Sequence, residues 1–267
     1  MVFLHAPGGT GKAFITNLIL VKVRGSGKIA FAVASSGIAA TLLPGARTAH
    51  SALKLSLNFA RTENPVCNTK MNSRTAQLLQ RCVLIVQDEC TMSHKLAFEA
   101  LKLTLKDLRK NNRLLGGVTL LLLGDFRQTL PVIKRGTAID GINACIKSSF
   151  LQLYVVQLHL TRNMCAAIFG DEASVHLAAG LLRIVVGNLA VSAEDGLVSL
   201  EGDGTFLDST EELQKKMYSN LQQMFQDVID YLSELFFAPG MTAAAAINSQ
   251  LLAQLPGNIK TFTSVNM

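Results

Sequence analysis

Between a short apolar run at residues 2–4 and an apolar, helix-like stretch at residues 14–20, the chain reads Ala6-Pro7-Gly8-Gly9-Thr10-Gly11-Lys12-Ala13. A strand that empties into a glycine-rich turn and restarts as a helix is the setting a phosphate-binding loop requires. Glycine lets the backbone crowd around an anion, so that successive amide N–H groups point inward. The helix amino terminus adds its dipole, and Lys12 supplies a full charge to the outer phosphates. A plain glycine turn before a helix is the alternative. Gly8, Gly9, Thr10, Gly11 and Lys12 are the candidate nucleotide-binding residues. Two positions depart from the G-x-x-x-x-G-K-[ST] pattern: Ala6 stands first, and Ala13 stands last, where a hydroxyl normally ligates magnesium. Weakened metal placement is expected.

The rest of the first half alternates strands with helices. Residues 29–34, 83–86 and 118–123 are strand-like, and Ala97, Leu101, Leu105 and Leu108 recur at helical spacing. This alternation predicts an α/β fold, a parallel sheet flanked by helices with its loops gathered at the carboxyl ends of the strands. Residues 61–74, polar and carrying Pro65, are expected to be a surface loop. The character changes after about Cys165: residues 166–193 are apolar and weakly patterned, residues 194–205 are rich in glycine and acid, and residues 221–237 are mixed. A first domain over 1–165 and a second unit over 166–267 are expected.

Two of the strands deliver polar residues suited to chemistry. After 83–86 comes Gln87-Asp88-Glu89, where Asp88 suits holding magnesium and Glu89 suits orienting or deprotonating an attacking water. After 118–123 comes Gly124-Asp125-Phe126-Arg127-Gln128, where Gln128 suits the terminal phosphate and the water, and Arg127 a negative partner. An Asp-Glu pair alone is common on surfaces, and a strand-end turn with a solvated Arg and Gln is the bland alternative. Taken in order with the glycine loop, the three favour a nucleotide hydrolase with Lys12, Asp88, Glu89 and Gln128 as candidate catalytic residues.

Composition closes off other classes. With 49% hydrophobic and 16% charged residues in 267, charge-driven disorder is excluded. No apolar run approaches the roughly 18–20 residues of a membrane helix, so no membrane partner is expected. With residues 1–7 reaching the glycine loop so soon, they are not expected to form a signal peptide. Cys67, Cys82, Cys90, Cys145 and Cys165 show no C-x-x-C spacing, which points to buried thiols in a reducing compartment rather than a zinc cluster. His5, His94, His159 and His176 are expected to be structural. The net charge of +6 permits a polyanion partner without demanding one.

Residues 3–12, 33–51, 87–109 and 124–132 together resemble the Pif-type (petite integration frequency) DNA helicases of superfamily one, nearest to the version in eukaryotic transposon-like helicases. The similarity resumes at Leu160-Thr161-Arg162-Asn163-Met164, at Gly202-Asp203-Gly204, and at Ala238-Pro239 with Leu255-Pro256-Gly257. The resemblance implies two RecA-like domains with ATP and Mg2+ in the cleft and single-stranded DNA across their tops. It implies five-prime to three-prime unwinding of duplex DNA, roles in DNA repair, recombination and telomere maintenance, and residence in the nucleus or, alternatively, the mitochondrion. By matching position it assigns Gly9, Thr10, Gly11 and Lys12 to the phosphates, Asp88 to the magnesium, Glu89 to the water and Gln128 to the terminal phosphate. It also places Ser35, Ser36, Thr48 and His50 near the DNA track, although a strand-turn-helix with a polar cap accounts for that stretch equally well.

Three departures from the family pattern stand out. Ala13 removes the magnesium-binding hydroxyl, and Cys165 stands where the family has an arginine. The chain also stops soon after the second motor domain is expected to begin and starts almost on the phosphate-loop strand. The expectation is therefore an internal piece or decayed copy of a helicase, with weak nucleotide binding and little unwinding. A non-catalytic remnant that binds single-stranded nucleic acid is the competing reading. A small-molecule kinase is disfavoured by the Gly124–Gln128 block.

Overall fold

The computed structural model describes residues 1–56, 65–169, 172–188, 207–218 and 241–255. The motifs and patterns noted at 194–205, 221–237, 238–239 and 256–257, and part of the 61–74 loop, lie outside the described residues. The chain divides into two compact units, Met1–Ser199 and Leu200–Met267.

The first unit is built on strands β1 (Val2–His5), β2 (Ala30–Ala34), β3 (Arg47–Thr48), β4 (Leu84–Asp88), β5 (Thr119–Gly124) and β6 (Val156–His159). They form one six-stranded sheet in the order β3-β2-β4-β5-β1-β6, with every pairing parallel. Parallel neighbours need crossover connections, and helices supply them. These are α1 (Lys12–Gly25), α2 (Gly37–Thr41), α3 (Ala49–Leu53), α4 (Arg74–Arg81), α5 (Lys95–Arg109) and α6 (Ala138–Ala144), followed by α7 (Met164–Phe169) and α8 (Glu172–Val186).

The apolar runs of the central strands are explained by burial on both faces. On one face Phe3, Val33, Ile85, Leu120 and Leu122 pack with Phe98, Leu101 and Leu105 of α5 and Leu79 of α4. On the other, Leu4, Ala32, Val86, Leu121 and Leu123 pack with Leu20 of α1 and Leu43. Each fully buried Leu, Val or Phe contributes roughly 1.5–3 kcal/mol. The four periodic positions of α5, Ala97, Leu101, Leu105 and Leu108, are all buried, as their spacing predicts. α5 starts where the His94 ring Nδ1 accepts from the Leu96 amide at 3.1 Å. Burial lowers the pKa of that imidazole, as does Lys95, which favours the neutral ring that an acceptor must be.

The expected α/β fold is thus present, and the strands foreseen at 2–4, 29–34, 83–86 and 118–123 all form. The two edge strands, β3 and β6, were not foreseen: β3 has only two residues, and all four residues of β6 are exposed. In the second unit, helices Thr210–Met217 and Met241–Ala253 are described, and Gln214 donates to Gln250 at 2.9 Å.

Candidate functional site

The sheet order sets three chemistry-bearing turns side by side. β1 pairs with β5 so that His5 lies level with Gly124, and β5 pairs with β4 so that Leu122 lies level with Gln87. The glycine loop, the Gly124–Gln128 turn and the Asp88-Glu89 pair therefore leave adjacent strands at their carboxyl ends, the usual ligand position in open α/β sheets. The Ala6 amide donates to the Gly124 carbonyl at 3.2 Å and carries the pairing into the loop.

Within the loop, Gly9 and Gly11 adopt left-handed angles, φ 77° and 80°. Thr10 Oγ1 donates to the Pro7 carbonyl at 2.7 Å and closes the bend. α1 starts behind Gly11, which has no side chain with which to cap the first amides, and its first turn carries no acid. Both features suit an anion at that terminus. A Cβ at Gly9 would lie 2.5 Å from Asn163 Oδ1, and the Met164 amide donates to the Gly9 carbonyl at 2.8 Å. The Leu160–Met164 motif thus folds against the loop, with Cys165 next in α7.

Lys12 reaches across to the acid pair. Its Nζ lies 3.0 Å from Asp88 Oδ1 and hydrogen-bonds Glu89 Oε1. Burial works against the Lys12 charge, but the hydrogen bond to Glu89 and the field of Asp88 outweigh it and raise the pKa above 10.5. The Glu89 amide donates to Asp88 Oδ1 at 2.9 Å, and Glu89 itself sits at φ 49°. A non-glycine residue held there costs on the order of 1 kcal/mol, and such residues concentrate at functional sites.

On the neighbouring turn, buried Asp125 accepts from Arg127 Nε and Nη2, both at 3.0 Å, and lies 3.1 Å from His5 Nε2. Burial pushes the Asp125 carboxyl up, but the bonds from Arg127 and the field of His5 pull it below 3.8. Arg127 thus has its negative partner two residues away in its own turn. Gln128 is exposed on the same turn, its amide donating to the Asp125 carbonyl at 3.0 Å.

The four candidate DNA residues lie on the far side of β4, around the ends of β2 and β3. Ser36 Oγ accepts from the Ala39 amide at 3.1 Å and caps α2. Ser35 Oγ lies 2.8 Å from Ser93 Oγ, and the Ser35 amide donates to the Asp88 carbonyl at 3.1 Å. Thr48 is half-buried at the end of β3, and His50 is exposed on α3. The structure therefore brings Lys12, Asp88 and Glu89 into contact and sets Gln128 on the adjacent strand end. It gives both serines a structural partner.

Sequence reasoning missed Gln87, Ser93, Asn163 and the site-side role of His5. One signal was available: a glutamine inside an apolar strand needs a hydrogen-bonding partner once buried. Of the cysteines, Cys67, Cys82, Cys90 and Cys145 are buried free thiols as expected, with burial pushing Cys67 and Cys82 up to about 11.

Among the described residues no group of three His, Cys, Asp or Glu side chains could cage a metal. Magnesium is commonly held by one or two carboxylates plus substrate phosphates, so the Asp88 carboxylate fits such an ion when phosphate completes the shell. Ala13 adds no oxygen to it.

A family model described as PIF1-like helicase matches residues 1–182. The chain belongs to the PIF1-like helicase family. Among its relatives, the ATP-dependent DNA helicase PIF1 of Candida albicans is 33% identical over 141 residues, covering 52% of this chain and 15% of that protein. The ATP-dependent DNA helicase Pif1 of a Psychrobacter species is 31% identical over 135 residues, covering 51% of this chain and 20% of that protein. The chain thus spans at most about a fifth of the length of these two relatives. A crystal structure of a Bacteroides Pif1 helicase in complex with ADP-AlF3 and ssDNA superposes with TM-score 0.65 at 17% identity, covering 97% of this chain and 54% of that one. The Pif1 helicase of Candida albicans superposes with TM-score 0.56 at 24% identity, covering 69% of this chain and 40% of that one. The fold of this PIF1-like chain is accordingly the RecA-like fold of those helicases.

Proposed function

We propose that this chain is the ATP-binding portion of a Pif-type DNA helicase, in which nucleotide held at residues 8–12 is hydrolysed to drive movement along single-stranded DNA. The observation that carries this reading is Lys12 meeting Asp88 and Glu89 beside a left-handed glycine loop. Relatives named ATP-dependent DNA helicases, and a structural neighbour crystallised with ADP-AlF3 and ssDNA, support it.

Chemically, a triphosphate in the loop competes with the carboxylates for the Lys12 ammonium. With Lys12 so engaged, Asp88 would be the residue to hold Mg2+, which would supply charge neutralisation on the phosphates, and Glu89 would orient a water and accept its proton. Gln128 would meet the terminal phosphate. Ser35, Ser36, Thr48 and His50 would contact the sugar-phosphate backbone without reading sequence. Ala13 leaves the metal one protein oxygen short. Stabilising the transferring phosphoryl group depends on converging charges, and a missing arginine finger alone costs ~10³–10⁵ in rate. With Cys165 in place of the family's arginine, turnover by this chain is slow.

Titration of a fluorescent ATP analogue in Mg2+ tests the proposal. Weak, saturable binding is expected, reduced about 100-fold in Lys12→Ala, which corresponds to about 2.7 kcal/mol. No binding, or no effect of the substitution, overturns the nucleotide reading. Brisk DNA-stimulated hydrolysis abolished in Lys12→Ala overturns the slow motor. The Ala13 departure favours one second reading, a non-catalytic single-strand binder. It predicts strongly salt-dependent DNA binding that ATP leaves unchanged.

A further inference from the structure

Three side chains form a hydrogen-bond chain, of which the activity above uses only Ser35. Gln87 Nε2 donates to Ser93 Oγ at 2.8 Å, Ser93 Oγ lies 2.8 Å from Ser35 Oγ, and Ser35 Oγ donates to the Asp88 carbonyl at 3.4 Å. Ser93 Oγ accepts from Gln87, and in the Ser93–Ser35 contact either hydroxyl can be the donor. Gln87 and Ser93 are 2% and 7% exposed, so the bond between them is made away from water, while Ser35 is half-buried. A buried polar pair is a poor device for stability alone, because an apolar pair of similar shape is often as stable.

The chain joins two places with different tasks. At one end lies Gln87, the residue before Asp88, whose carboxylate meets Lys12. At the other lies the Ser35-Ser36 turn, which leaves β2 beside Asp88 because Ala34 is level with Asp88 in the sheet. Ser36 caps the five-residue helix α2, so that short helix follows any movement of the turn.

We propose that Ser93, with Gln87, is a positioning residue that couples the Ser35-Ser36 turn to the Asp88-Glu89 pair, so that a single strand gripped at the turn changes nucleotide affinity. The inference rests on the nucleotide and single-strand reading above. Binding coupling is reciprocal, so nucleotide must change single-strand affinity by the same factor.

The test uses the full chain, a fluorescent ATP analogue with Mg2+, and an oligothymidylate. In the unmodified chain, saturating oligothymidylate should shift analogue affinity by about fivefold or more, with the reciprocal shift in oligothymidylate affinity. Ser93→Ala and the apolar double variant Gln87→Leu/Ser93→Ala should bring that factor to within about twofold of unity. Analogue affinity without DNA should stay within about twofold. Ser93→Thr, which keeps the hydroxyl, should retain the coupling. The double variant also guards against misfolding, since it removes both polar partners together; its melting curve checks that it folds. Wild-type coupling in the folded double variant, or both ligands binding the unmodified chain without coupling, overturns the proposal. If the unmodified chain binds no analogue or no oligothymidylate, the functional reading itself fails and the relay falls with it.

Discussion

At the amino-terminal end of the sheet the Arg109 guanidinium donates to the carbonyls of Gly116, Leu79, Gln80 and Cys82 at 2.8, 3.2, 2.6 and 2.9 Å, whereas at the carboxyl end Lys12 rests on Asp88 and Glu89. Both cations are well partnered, but the partners differ in kind. Backbone carbonyls move only if the chain unfolds, so Arg109 staples α4 and α5 to the start of the sheet. Carboxylates sit on side chains that rotate, so under the proposed function, in which a phosphate offers the same charge with more oxygens, the Lys12 pairing would be exchangeable. The glycines follow the same division. A Cβ at Gly116, φ 59°, would strike the Leu105 carbonyl at 2.6 Å, while at Gly9 it would meet the end of the Asn163 side chain. One end is built to stay as it is, the other to change partners.

Substitutions can break this contrast. The largest expected effect is Arg109→Met, which removes a donor from the Gly116, Gln80 and Cys82 carbonyls, Leu79 keeping the Cys82 thiol, and should lower stability by about 3 kcal/mol. Urea unfolding measures it, and analogue affinity below the transition should be unchanged. A loss of binding like that of Lys12→Ala would end the distinction between staple and exchangeable cation.

Asp125→Asn comes next, at about 1–2 kcal/mol near neutral pH, because it weakens the bonds to Arg127 and His5. The carboxyl is held below its ordinary 3.8, so its contribution is present above that pH and fades as pH falls through the folded value. The stability gap between the two proteins should therefore close on acidification. A gap constant from pH 7 to pH 3 would remove the ion pair as its cause.

Ser36→Ala is the smallest, about 1 kcal/mol from loss of the α2 cap. If single-strand affinity drops severalfold while stability holds, Ser36 belongs to the DNA contacts more than to the cap.

Local features of this protein were legible in its sequence, and relations between distant strands were not. The glycine loop, the helix of Ala97, Leu101, Leu105 and Leu108, and the acid pair at the end of an apolar strand each depend on a single period or turn, so their residues announce them. The partner of Asp88 is 76 residues away, and the bond from Lys12 exists only because β5 lies between β1 and β4 in the sheet. Ser35 and Ser93 meet for a similar reason, through the pairing of β2 with β4. No spacing rule encodes strand order. Ser36 shows the other difficulty: a serine after a strand is equally apt as a helix cap and as a phosphate contact, and geometry supplied the cap.

The insertion of β5 has a consequence of scale. Neighbouring strands lie roughly 4.8 Å apart, so the loop and the acid pair begin roughly 9.5 Å from each other. Under the proposed function that interval would hold both a phosphoryl group and a water in line with it, which adjacent placement would not allow. Lysine, with a charged tip on a long flexible stem, is the side chain that can span that width and retract from it.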